Sequence, residues 1–405
     1  MTPLNKKLTL PNGSTLKNRI AKSALSENIG SKNHAPTKTL IALYKRWAKS
    51  EAGLIITGNI MVDSKALGEP RNVVVEDRSN LSLLKEWADT MKDTGTQFWP
   101  QINHPGRQAM ENINKDLMAP SAVPVIALGR KKASKKIPRE LSENEIIDII
   151  ERYSEAALIC KEAGFTGAQI HGAHGYLVSQ FLSPKTNIRT DKWGGSLENR
   201  ARFVLEIYRS MRKKLGANFP IGIKLNSADF QKGGFTEEES MEVIKLLSKE
   251  GIDLIEISGG NYESPAMMGS SKKKSTIERE AFFMDYIEKA RKITKTPLML
   301  TGGFRTQKGM ETALNSNSLD VIGLGRPFTI YPDLPSDIFN KRASDFSVDY
   351  RRTNVKAVDA ALNLIWYEAQ MKRLGKGQEP DKNLNGWGVF ANYAWVLMQK
   401  AFSKN

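Results

Sequence analysis

Residues Lys161–Pro184 read KEAGFTGAQIHGAHGYLVSQFLSP, and this stretch shows the pattern that decides the fold. The segment that ends at Gly164 looks like the end of a helix, because a charged last turn is followed by a glycine that permits a left-handed backbone. A short apolar segment follows from Gly167 and ends on a polar residue, His171. Since this segment lacks polar alternation, it predicts a strand that is buried on both faces, as in a parallel sheet.

The same pattern of helix end, glycine and apolar segment recurs along the chain. Glycines at Gly53, Gly95 and Gly251 are predicted to end helices, and two capping-box pairs, Ser142 with Glu145 and Thr236 with Glu239, are predicted to start them. The other predicted strands are NRIAKSAL from Asn18, LIITGN from Leu54, FWPQIN from Phe98, IGIKLN from Ile221, LIEISGG from Leu254, PLMLTGG from Pro297 and DVIGLG from Asp320. Eight strands with intervening helices favour an α/β protein with a closed (β/α)8 TIM barrel, although an open doubly wound sheet could carry the same local pattern.

The strand pattern ends after Arg326 and Pro327. We therefore predict a barrel over residues 1–335 and a helical C-terminal extension over residues 336–405 that packs on it, since ALNLIWYEAQMKRLGKG from Ala361 has a helical apolar stripe. Two connections, His104–Leu141 and Gly259–Ile277, are too long for simple turns, and we predict that they form lid or substrate loops.

Composition excludes several classes of protein. No apolar segment approaches the roughly 18 residues of a membrane span, and the opening MTPLNKKLTLPNG lacks a secretory signal, so we expect a soluble cytoplasmic protein without a membrane partner. A single cysteine, Cys160, rules out an internal disulfide and an all-cysteine metal site. Nothing in the sequence decides between a monomer and a homo-oligomer.

The net charge of +16 is compatible with a nucleic-acid partner, an anionic surface or phosphorylated small molecules. The local lysine clusters lack the interleaved aromatic residues of a base-stacking surface, and we interpret them as solvated loops. They comprise Lys131, Lys132, Lys135 and Lys136, and a second group at Lys272–Lys274. No nucleic-acid partner is therefore expected.

Polar residues at the ends of several predicted strands indicate where the chemistry lies. Ser26 follows the first strand, Gln101 ends the third, His171 ends the fourth and Lys224 lies near the end of the fifth. Because the interior of a packed barrel prefers aliphatic side chains, these residues are expected to converge at the barrel mouth as a functional site.

The segment His171–Phe203, HGAHGYLVSQFLSPKTNIRTDKWGGSLENRARF, resembles the old yellow enzyme family of NAD(P)H:flavin oxidoreductases. Its histidine pair, tyrosine, FLSP, Asn187, Arg189, Asp191, GGS turn and NRARF ending all match the family pattern, and further matches are NRIAKSALSE from Asn18, QINHPGR from Gln101, TGGFR from Thr301 and GLGRP from Gly323. The resemblance covers about residues 1–335 and implies an FMN-dependent enzyme that takes electrons from NAD(P)H.

The resemblance also implies which residues hold the cofactor. Gly303, Gly325 and Arg326 provide backbone amides and a forked cation for the flavin phosphate. Gln101 and Lys224 would face the flavin pyrimidine ring, with Lys224 replacing the arginine that family members usually have. Two further residues complete the expected cofactor set: Ser26, where relatives have threonine or cysteine near the flavin O4 and N5, and Gly58.

For the chemistry, the resemblance implies reduction of the C=C bond of a small α,β-unsaturated carbonyl compound. His171 and His174 would donate to the carbonyl oxygen, and Tyr176 would protonate the α-carbon. No metal site is expected, because no further cysteine and no obvious carboxylate ligand lies near the histidine pair in sequence. His34 is expected to be solvated, while His104 and Arg107 either shape the mouth of the site or support its loop.

Three other functions stay open on the sequence. An RNA-directed flavin reductase of the dihydrouridine synthase kind would explain the basic charge, but such enzymes use a loop cysteine as acid, and Cys160 lies in a predicted helix. A flavin barrel that acts on another small electrophile is a second alternative. A flavin-binding protein without turnover is a third, against which the retention of His171, His174 and Tyr176 argues.

Overall fold

The structure is a computed structural model that describes residues 2–126, 134, 136–260, 280, 283–348 and 353–402. Most of the predicted loop Gly259–Ile277 lies outside these ranges, as do Lys272–Lys274 and three of the four lysines around Lys136. Within the described ranges, no helix combines the length and the apolar composition that crossing a bilayer requires.

Eight parallel strands close into a barrel, which confirms the predicted TIM-barrel fold. Closure is made by the pairing of the last strand with the first, where Ile322 lies opposite Ile20 and Leu324 opposite Lys22. Each predicted apolar segment overlaps one of these strands, and the strands longer than four residues are almost wholly buried. The barrel strands are β1 (Ile20–Lys22), β2 (Leu54–Met61), β3 (Gln97–Asn103), β4 (Ala168–Gly172), β5 (Ile221–Asn226), β6 (Leu254–Ser258), β7 (Leu298–Thr301) and β8 (Val321–Leu324).

Helices surround the barrel and continue beyond its last strand. They are α1 (Lys38–Trp47), α2 (Leu81–Ala88), α3 (Glu143–Ala163), α4 (Leu177–Leu182), α5 (Leu197–Leu215), α6 (Glu237–Glu250), α7 (Met284–Arg291), α8 (Gln307–Asn315), α9 (Pro327–Ile330), α10 (Leu334–Phe339), α11 (Lys356–Leu374) and α12 (Gly386–Phe402). In the described part of the chain, two pairs of two-residue strands lie outside the barrel: Leu8–Thr9 with Thr15–Leu16, and Met118–Ala119 with Arg139–Glu140. The second pair lies within the long connection His104–Leu141.

The predicted helix starts are confirmed, as are the predicted ends at Gly164 and Gly251, but those at Gly53 and Gly95 are wrong. The helical segment before Gly95 ends at Met91, and Lys92 caps it. Both capping boxes are formed, at the starts of α3 and α6, and the glycines that follow these helices are left-handed, with φ of 103° at Gly164 and 87° at Gly251. Before β2, however, the left-handed residue is Glu51, with φ of 66°, and not Gly53. Gly53 is required for a different reason: a Cβ atom there would lie 2.2 Å from the carbonyl oxygen of Asn18.

Two layers of apolar side chains hold the barrel together. The larger one fills the space between the strands and the surrounding helices. The smaller one contains Leu54, Trp99 and Met299 from alternating strand positions, packed with Leu10 and Leu16 of the N-terminal hairpin. Since alternate strand residues point to opposite faces, this second cluster fills the barrel interior near the amino ends of the strands. The opposite end is left for polar residues.

The C-terminal helix α11, which contains the predicted helical segment from Ala361, is joined to the rest of the protein by buried contacts. Met371 and Leu374 belong to the main core, while Leu362 and Trp366 form a smaller cluster with Ile330. The predicted boundary between barrel and extension, at residue 335, falls inside α10. The division of the chain into these two parts stays a prediction.

Candidate active site

A cleft opens at the carboxyl ends of the barrel strands, with roughly 850 Å³ of space that includes open solvent. Its walls contain five residues that the sequence singled out: His174, Lys224, Gly303, Gly325 and Arg326. They come from the segments that follow β4, β7 and β8 and from β5 itself. Closure of the barrel therefore brings together residues that are far apart in the chain, as the polar strand ends predicted.

His171, His174 and Tyr176 form one group of rings beside this cleft. The ring centroid of His171 lies 5.2 Å from that of His174 and 4.8 Å from that of Tyr176, both edge to face. His171 is the last residue but one of the buried strand β4, and a left-handed backbone at His174, with φ of 61°, turns the chain back before α4 begins. Asn226 stabilises this turn by accepting a hydrogen bond from the His174 N–H at 3.2 Å.

Both histidines are held neutral. Burial, with the nearby positive charge of Lys224, lowers the pKa of His174 to about 3, and burial, His174 and Lys224 lower the pKa of His171 well below its usual value. The Nδ1 atom of His171 accepts from the N–H of Ala173 at 3.3 Å, so its single ring proton is on Nε2. The Nε2 atom of His174 lies 2.8 Å from the Ser258 hydroxyl. His171 therefore offers an uncharged Nε2–H donor, and His174 offers one at Nδ1 in the tautomer whose Nε2 accepts from Ser258.

Lys224 lies in a buried polar network that the sequence reasoning did not find. Its Nζ atom is 3.1 Å from Oε1 of Glu256, and the two side chains are 3% and 0% exposed. Thr301 donates to the same carboxylate oxygen at 2.6 Å, and Gln169 donates to the other at 2.7 Å. Glu256 is a charged residue inside an apolar strand, LIEIS, and this break in the hydrophobic pattern was the available signal.

Gln101 joins the same network from β3. Its Nε2 donates to Oε1 of Gln169 at 2.8 Å, and its backbone N–H donates to the Thr57 hydroxyl at 3.0 Å. Gln101 is 2% exposed. The structure thus places the predicted pyrimidine-facing pair, Gln101 and Lys224, at two ends of one hydrogen-bonded chain that runs through Gln169 and Glu256.

The far end of the cleft suits an anion. In the described part of the chain, no protein acceptor pairs with the N–H groups of Gly303 and Gly325, and no carboxylate pairs with the Arg326 guanidinium. Gly302 and Gly303 have φ of 128° and 103°, a backbone conformation that residues with a side chain rarely adopt, and both line the cleft. Unpaired amides beside an unpaired cation fit a phosphate group.

Two predicted cofactor residues are engaged elsewhere. The Ser26 hydroxyl donates to Glu69, which leaves no hydroxyl proton for a flavin while that carboxylate is charged. The N–H of Gly58 donates to Glu27 at 2.8 Å, and a Cβ at Gly58 would lie 2.5 Å from the carbonyl oxygen of Leu25. Neither residue lines the cleft. In this structure both residues bind carboxylates of the segments that follow β1 and β2.

Several other residues of the matched motifs build the loops around the site. Arg189 donates to the carbonyl oxygens of Pro120 at 3.0 Å and Leu141 at 2.7 Å, so it fastens the connection that follows β3. Asn187 donates to Phe181 and Trp193 carbonyls. The most specific part of the sequence pattern is therefore partly a scaffold.

His104, Arg107 and His34 take structural positions. His104 is fully buried, its Nδ1 accepts from the N–H of Gly106 at 3.1 Å, and burial lowers its pKa to about 4. The Arg107 guanidinium donates to the carbonyl oxygen of Pro124 at 2.8 Å, which supports the loop. The expectation that His34 is solvated is wrong, because it is partly buried and lies 3.2 Å from the Asn72 carbonyl oxygen. Within the described ranges, no cluster of side chains could hold a metal ion.

Comparison with known proteins places this cleft in a family. A family model described as "NADH:flavin oxidoreductase / NADH oxidase family" matches residues 4–345. The chain belongs to this family. The family binds FMN and uses NADH or NADPH as the reductant, and the amides and cation at Gly303, Gly325 and Arg326 fit the phosphate of FMN.

Two fungal relatives match over most of their length. The NADH-dependent flavin oxidoreductase iliE of Hypocrea jecorina is 35% identical over 84% of this chain and 89% of its own. The NADH-dependent flavin oxidoreductase iccE of Talaromyces variabilis is 34% identical over 92% of this chain and 98% of its own. The sequence resemblance to flavin oxidoreductases is thereby confirmed.

Solved structures confirm the fold. The old yellow enzyme homologue from Zymomonas mobilis has a TM-score of 0.71 with 26% identity, and covers 84% of this chain and 93% of that one. Morphinone reductase in complex with tetrahydroNAD has a TM-score of 0.69 with 25% identity, and covers 84% and 92%. This flavin oxidoreductase thus shares the barrel of the old yellow enzyme homologues.

Proposed function

We propose that this flavin oxidoreductase reduces the C=C bond of small α,β-unsaturated carbonyl compounds. The observation that carries the proposal is the group of His171, His174 and Tyr176, which joins two neutral imidazoles to a phenol at the cleft. Donors of this kind suit a carbonyl oxygen that gains negative charge during the reaction. The phenol is an acid close enough to act on the same substrate.

Each residue of the group has a distinct task. The Nε2–H of His171 and the ring N–H of His174 bind the substrate carbonyl oxygen and stabilise the enolate-like charge that develops there. The Tyr176 hydroxyl gives its proton to the α-carbon as the C=C bond is lost. FMN, when bound, supplies the hydride that the β-carbon receives, so one hydride and one proton add across the double bond.

Residues elsewhere in the cleft would hold the cofactor. Arg326 and the N–H groups of Gly303 and Gly325 would bind the phosphate. Lys224 and Gln101 would face the pyrimidine edge, where Glu256 fixes the position of the lysine. Ser26 and Gly58 contribute to the cofactor only if their bonds to Glu69 and Glu27 are exchanged, and we therefore assign them a lesser part.

The RNA-directed alternative is disfavoured by Cys160. This residue lies on α3, is fully buried in the main core, and burial raises the pKa of its thiol. A thiol in that position cannot act as an acid on a nucleotide at the barrel mouth. A different small electrophile as substrate uses the same three residues, and the experiment that follows distinguishes it by the choice of oxidant.

The test follows flavin reoxidation. The purified protein is reduced anaerobically with NADH or with NADPH, and cyclohexenone is added while the flavin absorbance is recorded. We expect reoxidation by cyclohexenone, and a loss of about 10²-fold or more in its rate for Tyr176→Phe with unchanged reduction by the nicotinamide. Tyr208→Phe is the matched control, because the Tyr208 hydroxyl bonds to the Glu250 carbonyl oxygen on α6, away from the cleft.

Three outcomes would contradict the proposal in different ways. Reoxidation by a small electrophile without a C=C bond, but not by cyclohexenone, would favour the alternative substrate. An unchanged rate in Tyr176→Phe would remove the proton-donor assignment only. A protein that takes up no FMN would remove the proposal altogether.

A further inference from the structure

The C-terminal helix α11 reaches the cleft from outside the segment that defines the family. The family match ends at residue 345, whereas α11 begins at Lys356. Even so, Asn363 of α11 lines the cleft together with Gly303, Gly325 and Arg326. The extension is therefore in contact with the anion-binding end of the site.

The ring of Tyr367 on α11 lies against the side chain of Arg326. The Arg326 guanidinium carbon lies 5.6 Å from the centroid of the Tyr367 ring, a cation–π contact. The ring itself is 4% exposed and packs edge to face against Trp366 at 5.2 Å, so it offers a rigid surface. A long side chain without a carboxylate partner loses rotamer entropy when it binds an anion, and a ring that already restricts it lowers that cost.

Asn363 lies one helical turn before Tyr367, and positions i and i+4 share a helix face. One N–H of its amide donates to the Asp359 carbonyl oxygen at 3.2 Å. The carbonyl oxygen and second N–H of the amide have no protein partner within the described ranges. The Asn363 amide lies in the wall of the same cleft as the N–H groups of Gly303 and Gly325. It therefore adds a hydrogen-bond donor to those two backbone N–H groups.

Buried contacts along α11 fix this helix to the rest of the protein. Leu362 and Trp366 are fully buried, and the Trp366 indole N–H donates to the Leu384 carbonyl oxygen at 3.0 Å. At the other end, a Cβ at Gly375 would lie 2.4 Å from the Thr39 carbonyl oxygen of α1, which shows how closely the helix end approaches the barrel layer. Rigid support is what a preorganised binding residue requires.

We propose that α11 forms part of the FMN phosphate site, with Asn363 as a direct contact to the phosphate end of the cofactor and Tyr367 as the positioning residue of Arg326. The chemical class recognised is a phosphate monoester dianion. The inference rests on FMN binding by the family and is independent of which substrate the enzyme reduces.

The test compares FMN with riboflavin, which lacks the phosphate. Dissociation constants are measured for the full chain stripped of flavin, by quenching of flavin fluorescence. For Tyr367→Leu and for Asn363→Ala we expect FMN affinity to fall about three- to tenfold, and riboflavin affinity to stay within about twofold. Tyr367→Phe keeps the ring face and should restore most of the FMN affinity. No alkene substrate is present, so failure here is distinct from failure of the proposed reaction.

Tyr331→Leu is the control variant. Tyr331 also carries a cation–π contact, with Lys382 at 4.3 Å, and it does not line the cleft. It should leave the ratio of riboflavin to FMN dissociation constants unchanged. A ratio that stays unchanged in both Tyr367→Leu and Asn363→Ala, or FMN and riboflavin affinities that fall together, would overturn the assignment. Asn363 is only partly buried, so its variant tests the proposal even if Tyr367→Leu folds poorly.

Discussion

Among single residues, Lys224 and Glu256 form a buried ion pair in the barrel. Both are buried, and a charge in an apolar interior is tolerated only beside a partner. We expect Glu256→Gln to lower the free energy of unfolding by about 3 kcal/mol, because it leaves the Lys224 ammonium without a counter-charge. Urea unfolding measures this loss.

Two further variants show that pairing is the cause. Glu242→Gln breaks the exposed pair of Glu242 with Lys245, and the free energy of unfolding should change by less than about 0.5 kcal/mol. The double variant Lys224→Met, Glu256→Leu should be more stable than Glu256→Gln alone, since neither charge is then left unpaired. A double variant that is no more stable would show that lost packing, and not the uncompensated charge, is responsible.

Glu69, the partner of Ser26, should make stability depend on pH. Burial raises its pKa from 4.5 to about 6, with a further contribution from the charge of Glu27. The folded protein therefore binds this proton more tightly than the unfolded chain, and the free energy of unfolding falls as pH rises from about 4.5 to about 6. Glu69→Gln removes this fall, so the variant should gain about 1 to 2 kcal/mol relative to the parent between pH 4 and pH 7.

Thermal and urea unfolding of both proteins over that pH range provide the measurement. The difference between parent and variant cancels the contribution of distant carboxyls such as Glu145, whose pKa is lowered to about 2 by its bond to Arg139. It keeps a contribution from Glu368, because the charge of Glu69 helps to raise the pKa of that carboxyl. If that difference does not change with pH, burial does not raise the pKa of Glu69, and the charged carboxylate imposes no cost on the folded state.

Among the elements, the connection between β3 and α3 depends on one side chain from another loop. Arg189 donates to the carbonyl oxygens of Pro120 and Leu141, which both lie at one end of the small parallel sheet that Met118–Ala119 forms with Arg139–Glu140. Arg189→Lys keeps the charge but loses the fork. We expect amide hydrogen exchange in residues 117–121 to increase about tenfold or more.

The control for that measurement is Arg202→Lys. Arg202 also donates to a backbone carbonyl, at Lys192, from the same region of the chain, but it does not contact the connection. Its variant should leave exchange in residues 117–121 unchanged. Equal protection in both variants would mean that the small sheet holds its own position.

At the scale of the whole molecule, the C-terminal helices belong to the stability of the barrel. A chain that stops after Asp345 loses Met371 and Leu374 from the main core and uncovers the side chains that they contact. We expect its thermal midpoint to fall by more than about 5 °C, because several buried apolar side chains are lost. A chain that stops after Gln378 keeps α11 and should lose less. Equal midpoints for the two truncations would show that α11 adds no stability.

The sequence by itself determined the strands and several helix ends, because these features follow from local periodicity, capping pairs and glycine. It favoured a closed barrel, but an open doubly wound sheet carries the same local pattern, and the pairing of β8 with β1 decides between the two. The wrong helix end predicted at Gly53 has a tertiary cause: Gly53 is needed for its approach to Asn18, which is remote in the chain. The sequence also indicated the ring group His171, His174 and Tyr176, since these residues lie close together in the chain.

Only the tertiary structure decided the partners of these residues. Lys224 with Glu256, Gln101 with Gln169, Ser26 with Glu69 and Arg326 with Tyr367 each join segments that are distant in sequence. No local pattern encodes such a pair, because closure of the barrel and docking of α11 set the distance between its members. The sequence therefore indicated the residues to which we assign the chemistry, and the fold decided which of them have side chains or amides unengaged by other protein groups in the described ranges.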